Sequence, residues 1–381
     1  MRVLLVGHTY TVGVNRDKID QLARCPGIEL TLVVPSRWPH TLRIFQADPP
    51  TSSAYRLQTL HTLFEGRETR YVYFPEMSMG MRDISPDIIH IEQGPWALVH
   101  TQALLVKRFF APRAKVIFFT WWNIEYKLSS LSRVIEWYNF RNSDWAIAGN
   151  QDAASLLKKH GFRKGISVLP QLGVDPDTYW RMEVSHLRAQ LGLEGCFVIG
   201  FVGRLQRQKG LDSLLRAFAH LGNNPHLVLV GNGDFQPILL RKVAELEIDH
   251  RVHFLDVVPH KEVPKYMSAF DVMVLPSRTT PHWKEQFGHV LIEAMSCETP
   301  VIGSDSGEIP NVIGDAGFIF PEGDAEALAD AIRTLMRDEN LRRDLARRGR
   351  ERVLQHYTHE RIAQETHRIY CELLGQDPSH D

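Results

Sequence analysis

Residues 196–215 read CFVIGFVGRLQRQKGLDSLL, and three local signals follow one another within them. An apolar run up to Val202 suits a strand covered on both faces, as parallel sheets are. Gly203 ends the run, and a short polar loop carrying Arg204 and Lys209 leads to Gly210. From Leu211 onward the apolar residues recur at helical spacing, which predicts a helix to about Leu221. A strand, a glycine-bounded loop and a helix in that order form one unit of a doubly wound α/β sheet.

The same rhythm extends in both directions. Downstream it returns in HLVLVGNG (226–233), RVHFLDVV (251–258), FDVMVLPS (270–277), TPVIGSD (299–305) and AGFIFPEGD (316–324). Upstream it runs through RVLLVGH (2–8), IELTLVVP (28–35), YVYF (71–74), PDIIHIEQ (86–93), AKVIFFTW (114–121), WAIAGN (145–150) and ISVLP (166–170), with a helix expected after Gly13. These runs predict two Rossmann-like parallel-sheet domains in tandem, which suits 381 residues, more than one hydrophobic core usually serves. The stretch 172–195 lacks a buried-strand run and carries proline and charge, so the boundary is placed near residue 175: a first domain 1–174 and a second 175–357. The segment 358–374 has Ile362, Ile369 and Leu373 at helical spacing and needs a surface to cover.

Composition narrows the classes. With 44% hydrophobic and 23% charged residues the chain is ordinary globular protein, and disorder is expected only at the closing GQDPSHD (375–381). No apolar stretch reaches the roughly 18 to 20 residues that span a bilayer, and the opening MRVLLVGHTY reads as a strand rather than a leader, so a cytoplasmic location is expected. Cys25, Cys196, Cys297 and Cys371 are too scattered to suggest a disulfide framework or a zinc site. Residues 1–170 hold 21 Lys and Arg against 14 Asp and Glu, so the first portion is net positive and the rest net negative. That asymmetry suits an anionic surface or substrate, or only solvated faces; nucleic acid is not an expected partner.

Chemistry is expected at the carboxyl ends of the strands, where loops lead into helix N-termini that attract anions. Gly203, Arg204, Lys209 and Gly210 read there as a phosphate clamp. Arginine can grip phosphate oxygens in pairs, lysine adds a point charge, and glycine lets the anion approach the backbone. The plain alternative is a solvated basic turn. A Walker loop is excluded, since G-x-x-x-x-G-K-[ST] is absent. Further on, EQFGHVLIEAMS (285–296) sets two glutamates eight positions apart, with a helix expected from about Gly288. Glu285 falls in the loop and Glu293 two turns along the helix, so they can serve different parts of one ligand. Glu293 suits the paired hydroxyls of a ribose, and Glu285 sugar hydroxyls or the charge growing on an anomeric carbon. The amides of Phe287, Gly288 and His289 would face the sugar or diphosphate. On the plain reading Glu285 is merely a helix-dipole acid.

GRLQRQKGLD (203–212) followed by EQFGHVLIEAMSCETPVIGSDSGEIPNVI (285–313) resembles the retaining glycosyltransferases of family 4, whose marker is this E-x7-E pair. The resemblance is specific over 198–325 and fainter, though collinear, before that. It implies the GT-B fold, with two Rossmann-like domains facing an interdomain cleft and a last helix (358–375) packed back on the first domain. It also implies a nucleotide-diphosphate sugar, UDP- or GDP-linked, held by the second domain and a hydroxyl acceptor held by the first. That acceptor could be a sugar, a lipid-linked group or a small molecule. Carried over by residue, Arg204 and Lys209 bind the diphosphate, Glu293 the ribose, and Glu285 with Phe287, Gly288 and His289 the donor sugar. No metal and no cofactor are expected.

In the first half Gly13 stands where the family keeps a glycine loop near donor phosphate and acceptor, while Gly7 reads as a strand-end glycine. The family's first-domain histidine is missing: the matching stretch is FFTWWNIEY (118–126), with Trp122 or Asn123 in its place and Asn123 or Glu125 as stand-ins. Trp121 and Trp122 read as wall residues more readily than as a sugar platform. His8, His90, Glu92 and His100 are nearby, though a lone histidine is usually structural. KRFFAPRAK (107–115) offers a weak peripheral contact with an anionic membrane, or more simply an exposed helix end. Two rivals share such a fold: a nucleotide-sugar 2-epimerase and a non-catalytic sugar-binding module. A dehydrogenase is disfavoured, because neither first strand leads into G-x-G-x-x-G with an acid about 20 positions on.

Overall fold

Each apolar run becomes a strand because neighbouring strands and helices cover it on all sides. The computed structural model describes residues 1–39, 44–50, 52–73 and 77–376. The chain divides into two compact units, Met1–Gly173 with the segment from His359 onward, and Val174–Thr358. Of the sequence expectations, Phe74 and residues 377–381 of the closing segment lie outside the described residues.

In the first unit seven strands form one parallel sheet. Their order is Gly165–Val168, Trp145–Ala148, Lys115–Thr120, Ile88–Ile91, Arg2–Val6, Glu29–Pro35 and Arg56–Leu60. Ile88–Ile91 is wholly buried, and Arg2–Val6 and Lys115–Thr120 are buried apart from their first residues. Two assignments change. Val72 and Tyr73 pair antiparallel with Thr62 and Leu63, outside this sheet, so YVYF is not one of its strands. The edge strand is instead Arg56–Leu60, which stays partly exposed and therefore carries polar residues that conceal it from an apolar-run search. The helix His359–Leu374 belongs to this unit and packs on Asp17–Ala23, with Ile362, Ala363, Ile369 and Tyr370 in the core beneath the sheet.

A buried polar cluster sits inside this core. Glu92, 3% exposed, accepts hydrogen bonds from Lys18 Nζ (2.6 Å), Tyr10 Oη (2.9 Å) and Gln171 Nε2 (2.6 Å). Burial alone would raise its pKa, but the Lys18 ammonium and the other donors outweigh it and hold the carboxyl below its usual range. His90 lies 3.8 Å from the same carboxylate and bonds Tyr370 Oη through Nδ1 (2.6 Å), tying the last helix to the sheet.

The second unit has six parallel strands in the order Val252–Leu255, Pro225–Val230, Phe197–Val202, Val272–Leu275, Val301–Ser304 and Gly317–Phe320. The order reverses at the central pair Phe197–Val202 and Val272–Leu275, the switch point where open α/β sheets place their ligands. Both strands lead into the loops singled out from the sequence.

Candidate donor site

The loop after Phe197–Val202 is fastened to the loop after Val272–Leu275. Gly210 has φ +67°, and a Cβ there would lie 1.8 Å from the carbonyl oxygen of Pro276. Only glycine allows that approach. Arg278 N donates to Gln208 O (2.8 Å), and Arg278 Nη1 bonds Asp212 (3.1 Å), so the two loops act as one structure. Gly210→Ala is expected to destabilise this unit by about 2 kcal/mol through strain and forced separation of the loops. A melting temperature equal to that of the parent chain would contradict the fit.

This fastening brings Lys209 onto Glu285. Lys209 Nζ stands 2.7 Å from Glu285 Oε2, and Ser277 Oγ donates to the same oxygen at 2.7 Å. The lysine also lies over the Trp283 ring, 4.9 Å from its centroid. Glu285 is itself 7% exposed, and Gly307 presses on its backbone: a Cβ at Gly307 would come within 2.0 Å of Glu285 O. The position of this carboxylate is therefore fixed from several sides.

Gly288, at φ +85°, caps the helix His289–Ser296 without a side-chain cap bond. The rings of Phe287 and His289 lie 4.9 Å apart, and Phe287 also meets Tyr357 edge-on. Burial pushes the His289 imidazole down to about 4 against the opposing pull of Glu285, so it is neutral at pH 7. Glu293 is the fifth residue of this helix, little more than one turn in rather than two. Burial raises its carboxyl to about 7, with the neighbouring Tyr179 hydroxyl opposing. Glu285 and Glu293 thus hold separate partners.

Arg204 is exposed, and its side chain pairs with nothing among the described residues. The expected clamp is accordingly half assembled: Lys209 is fixed and Arg204 extends into solvent. Gly203, at φ +150°, ends its strand and donates its N–H to Val230 O (3.0 Å). In the first unit the Gly13 amide donates to Asp48 Oδ2 (2.6 Å), so a carboxylate occupies the position expected for donor phosphate. Asn123 is 8% exposed, and Glu125 is turned outward to Lys159 (2.6 Å). Trp122 is a wall residue, packed edge-on against Trp96 and His160. Sequence reading missed Ser277, Trp283 and Tyr179; the first lies two residues beyond a buried strand, close to the position the strand-end rule selects.

Among the described residues no cluster of three or more His, Cys, Asp or Glu could hold a metal ion, and no helix is long and apolar enough to cross a membrane.

Residues 184–352 match the family model described as glycosyl transferases group 1. N-acetyl-alpha-D-glucosaminyl L-malate synthase of Bacillus anthracis is 32% identical over 209 residues, 54% of this chain and 53% of that protein. D-inositol 3-phosphate glycosyltransferase of Corynebacterium jeikeium (strain K411) is 34% identical over 259 residues, 63% of this chain and 60% of that one. The chain therefore spans a little over half the length of these curated relatives. Among solved structures, Anabaena HepE in complex with UDP superposes with a TM-score of 0.77 at 19% identity, covering 98% of this chain and 100% of that one. Sucrose-phosphate synthase of Thermosynechococcus elongatus gives 0.75 at 22%, covering 98% and 99%. Residues 184–352 therefore match the group 1 glycosyl transferase model, and the chain has the GT-B fold of these solved structures.

Proposed function

We propose that this chain is a metal-independent retaining glycosyltransferase that moves a sugar from a UDP- or GDP-linked donor to a hydroxyl acceptor. The observation that carries this reading is the Lys209–Glu285 pair: one fixed cation and one fixed carboxylate at the switch point of a parallel sheet. Lys209, joined by Arg204 when it folds in, neutralises the diphosphate beside the positive end of the helix His289–Ser296. Glu285 accepts from the sugar hydroxyls or faces the charge growing on the anomeric carbon, Phe287, Gly288 and His289 border the sugar, and Glu293 takes the ribose. Neutral His289 can donate to a sugar hydroxyl without adding charge.

In this scheme the acceptor hydroxyl attacks from the face the diphosphate leaves, and the departing phosphate oxygen takes the acceptor proton. The new glycosidic bond forms as the bond to the diphosphate breaks, and no protein nucleophile takes part. Asn123 stands in for the first-domain histidine as a contact to the donor sugar, and Gly13 meets the phosphate only once Asp48 has left its amide. The enzyme works in the cytoplasm. A weak contact with an anionic membrane would fall on the helix end at Lys107–Phe110, where Phe109 is 80% exposed.

Incubation with UDP-, GDP- and ADP-sugars tests the reading. A donor at a hundredfold its Kd raises stability by about 2.7 kcal/mol, which a thermal shift detects. Slow hydrolysis of the donor alone fits a transferase; epimerised donor would instead assign an isomerase, and binding without turnover a binding module.

Glu293 adds a proton signature. A ribose diol donates to an ionised carboxylate, so donor binding drives off the proton that this group half retains at pH 7. Binding heats measured in two buffers of different ionisation enthalpy should report a fraction of a proton released, and Glu293→Gln should abolish it. Equal heats in both buffers would remove Glu293 from the ribose.

A further inference from the structure

A large cavity of the first unit is lined by none of the residues around Gly13 or the buried carboxylate of Glu92. It is a groove of about 1150 Å³ between the helices Ser130–Asn142 and Gln151–Lys159 and the turns that follow them. Six cations line it, Lys127, Arg133, Arg141, Lys159, Arg163 and Lys164, against two carboxylates, Glu125 and Glu136. Lys159 is spent on Glu125 at 2.6 Å, whereas Lys127 and Arg133 form no ion pair among the described residues. A strongly positive concavity therefore keeps charge in reserve.

Two further features show what else a ligand would carry. Glu136 is 6% exposed, and His160 Nδ1 lies 3.2 Å from both of its carboxylate oxygens. One ring nitrogen uses only part of a carboxylate's acceptor capacity, so a hydroxyl or amine can still donate to it. Trp137, 61% exposed, and Tyr126, 45% exposed, also line the groove, with Arg141 stacked near the Trp137 ring. Exposed aromatic rings beside cations offer apolar faces to ligands that also bear charge.

We propose that this groove binds an anionic oligosaccharide, with acidic groups on Lys127 and Arg133, a ring face on Trp137, and a hydroxyl donating to Glu136. An apolar molecule would leave the cations unused, and an inorganic anion would leave the aromatic rings and the Glu136 oxygen unused. The volume exceeds the roughly 300–1,000 Å³ of a small-molecule site, which suits several linked rings. The inference stands on the first unit alone and does not depend on the donor reading.

Titration calorimetry on the full chain tests it with three probes: trigalacturonate, uncharged maltotriose, and citrate, which has charge without rings. Trigalacturonate should bind at least about tenfold more tightly than either of the others. Trp137→Ala should weaken trigalacturonate about tenfold and leave citrate unchanged, and Arg133→Glu should weaken both. Lys209→Ala should change neither. The proposal is overturned if trigalacturonate fails to bind, if Trp137→Ala leaves it unaffected, or if Lys209→Ala removes it, which would place the anion in the second unit. Capture by phosphatidylglycerol vesicles with no binding of trigalacturonate would also overturn it, in favour of a membrane surface.

Discussion

Lys209→Ala is expected to lower sugar transfer about a hundredfold, a loss on the order of 3 kcal/mol at the transition state. An ammonium carries three donors, and one of them is committed to Glu285 at 2.7 Å. The others remain for the leaving diphosphate, where negative charge increases as the glycosidic bond breaks, so the loss should fall on kcat more than on KM. The substitution also strips a nearly buried carboxylate of its counter-charge, although Ser277 still donates to it. Glu285→Gln separates the two effects, since it keeps Lys209 and removes only the carboxylate charge. If Lys209→Ala melts like the parent chain and turns over at an unchanged rate, the lysine is not part of the chemistry.

Acidification should unfold the first unit well before the second. Burial holds His8 and His90 to about 4 and His100 to about 3, against an ordinary 6.5, with Glu92 partly opposing the first two and the Gly94 backbone the third. A histidine kept neutral in the fold contributes stability that is complete above its unfolded pKa and lost as pH falls through the folded one. The window therefore runs from about pH 6.5 down to 4, at about 3 kcal/mol for each group. Three such groups together approach the stability of an ordinary domain. In the second unit burial also lowers His289, His226 and His253, but Glu293 works in the opposite direction and offsets part of their loss. A carboxyl raised to about 7 costs stability when ionised and returns it as the pH drops. Calorimetry from pH 7.5 to 4 should show the first unit's transition falling more steeply than the second's. Two transitions that move together would contradict these burial effects.

What the sequence disclosed followed from local physics. Buried parallel strands must be apolar throughout, so Phe197–Val202 and Val272–Leu275 were legible, and with them the loops they feed. Gly288 and the helix it opens were legible because a helix entrance has its own local chemistry. Arg56–Leu60 was not, since a half-exposed edge strand needs no apolar run. Nor were the partnerships that decide the site. Ser277 and Lys209 converge on Glu285, Tyr179 on Glu293 and Asp48 on Gly13, each across a separation that only the folded chain closes. The buried Lys18–Glu92 pair joins residues 74 positions apart and was invisible for the same reason.

The helix His359–Leu374 completes a core whose other parts precede Gly173. During synthesis all of Val174–Thr358 must therefore leave the ribosome before Tyr370 can reach His90. At about 5–20 residues per second that delay is roughly ten to forty seconds. Through that interval the underside of the first sheet has only part of its cover, chiefly Asp17–Ala23, and leaves apolar surface exposed that the last helix later buries, while the second unit can fold at once.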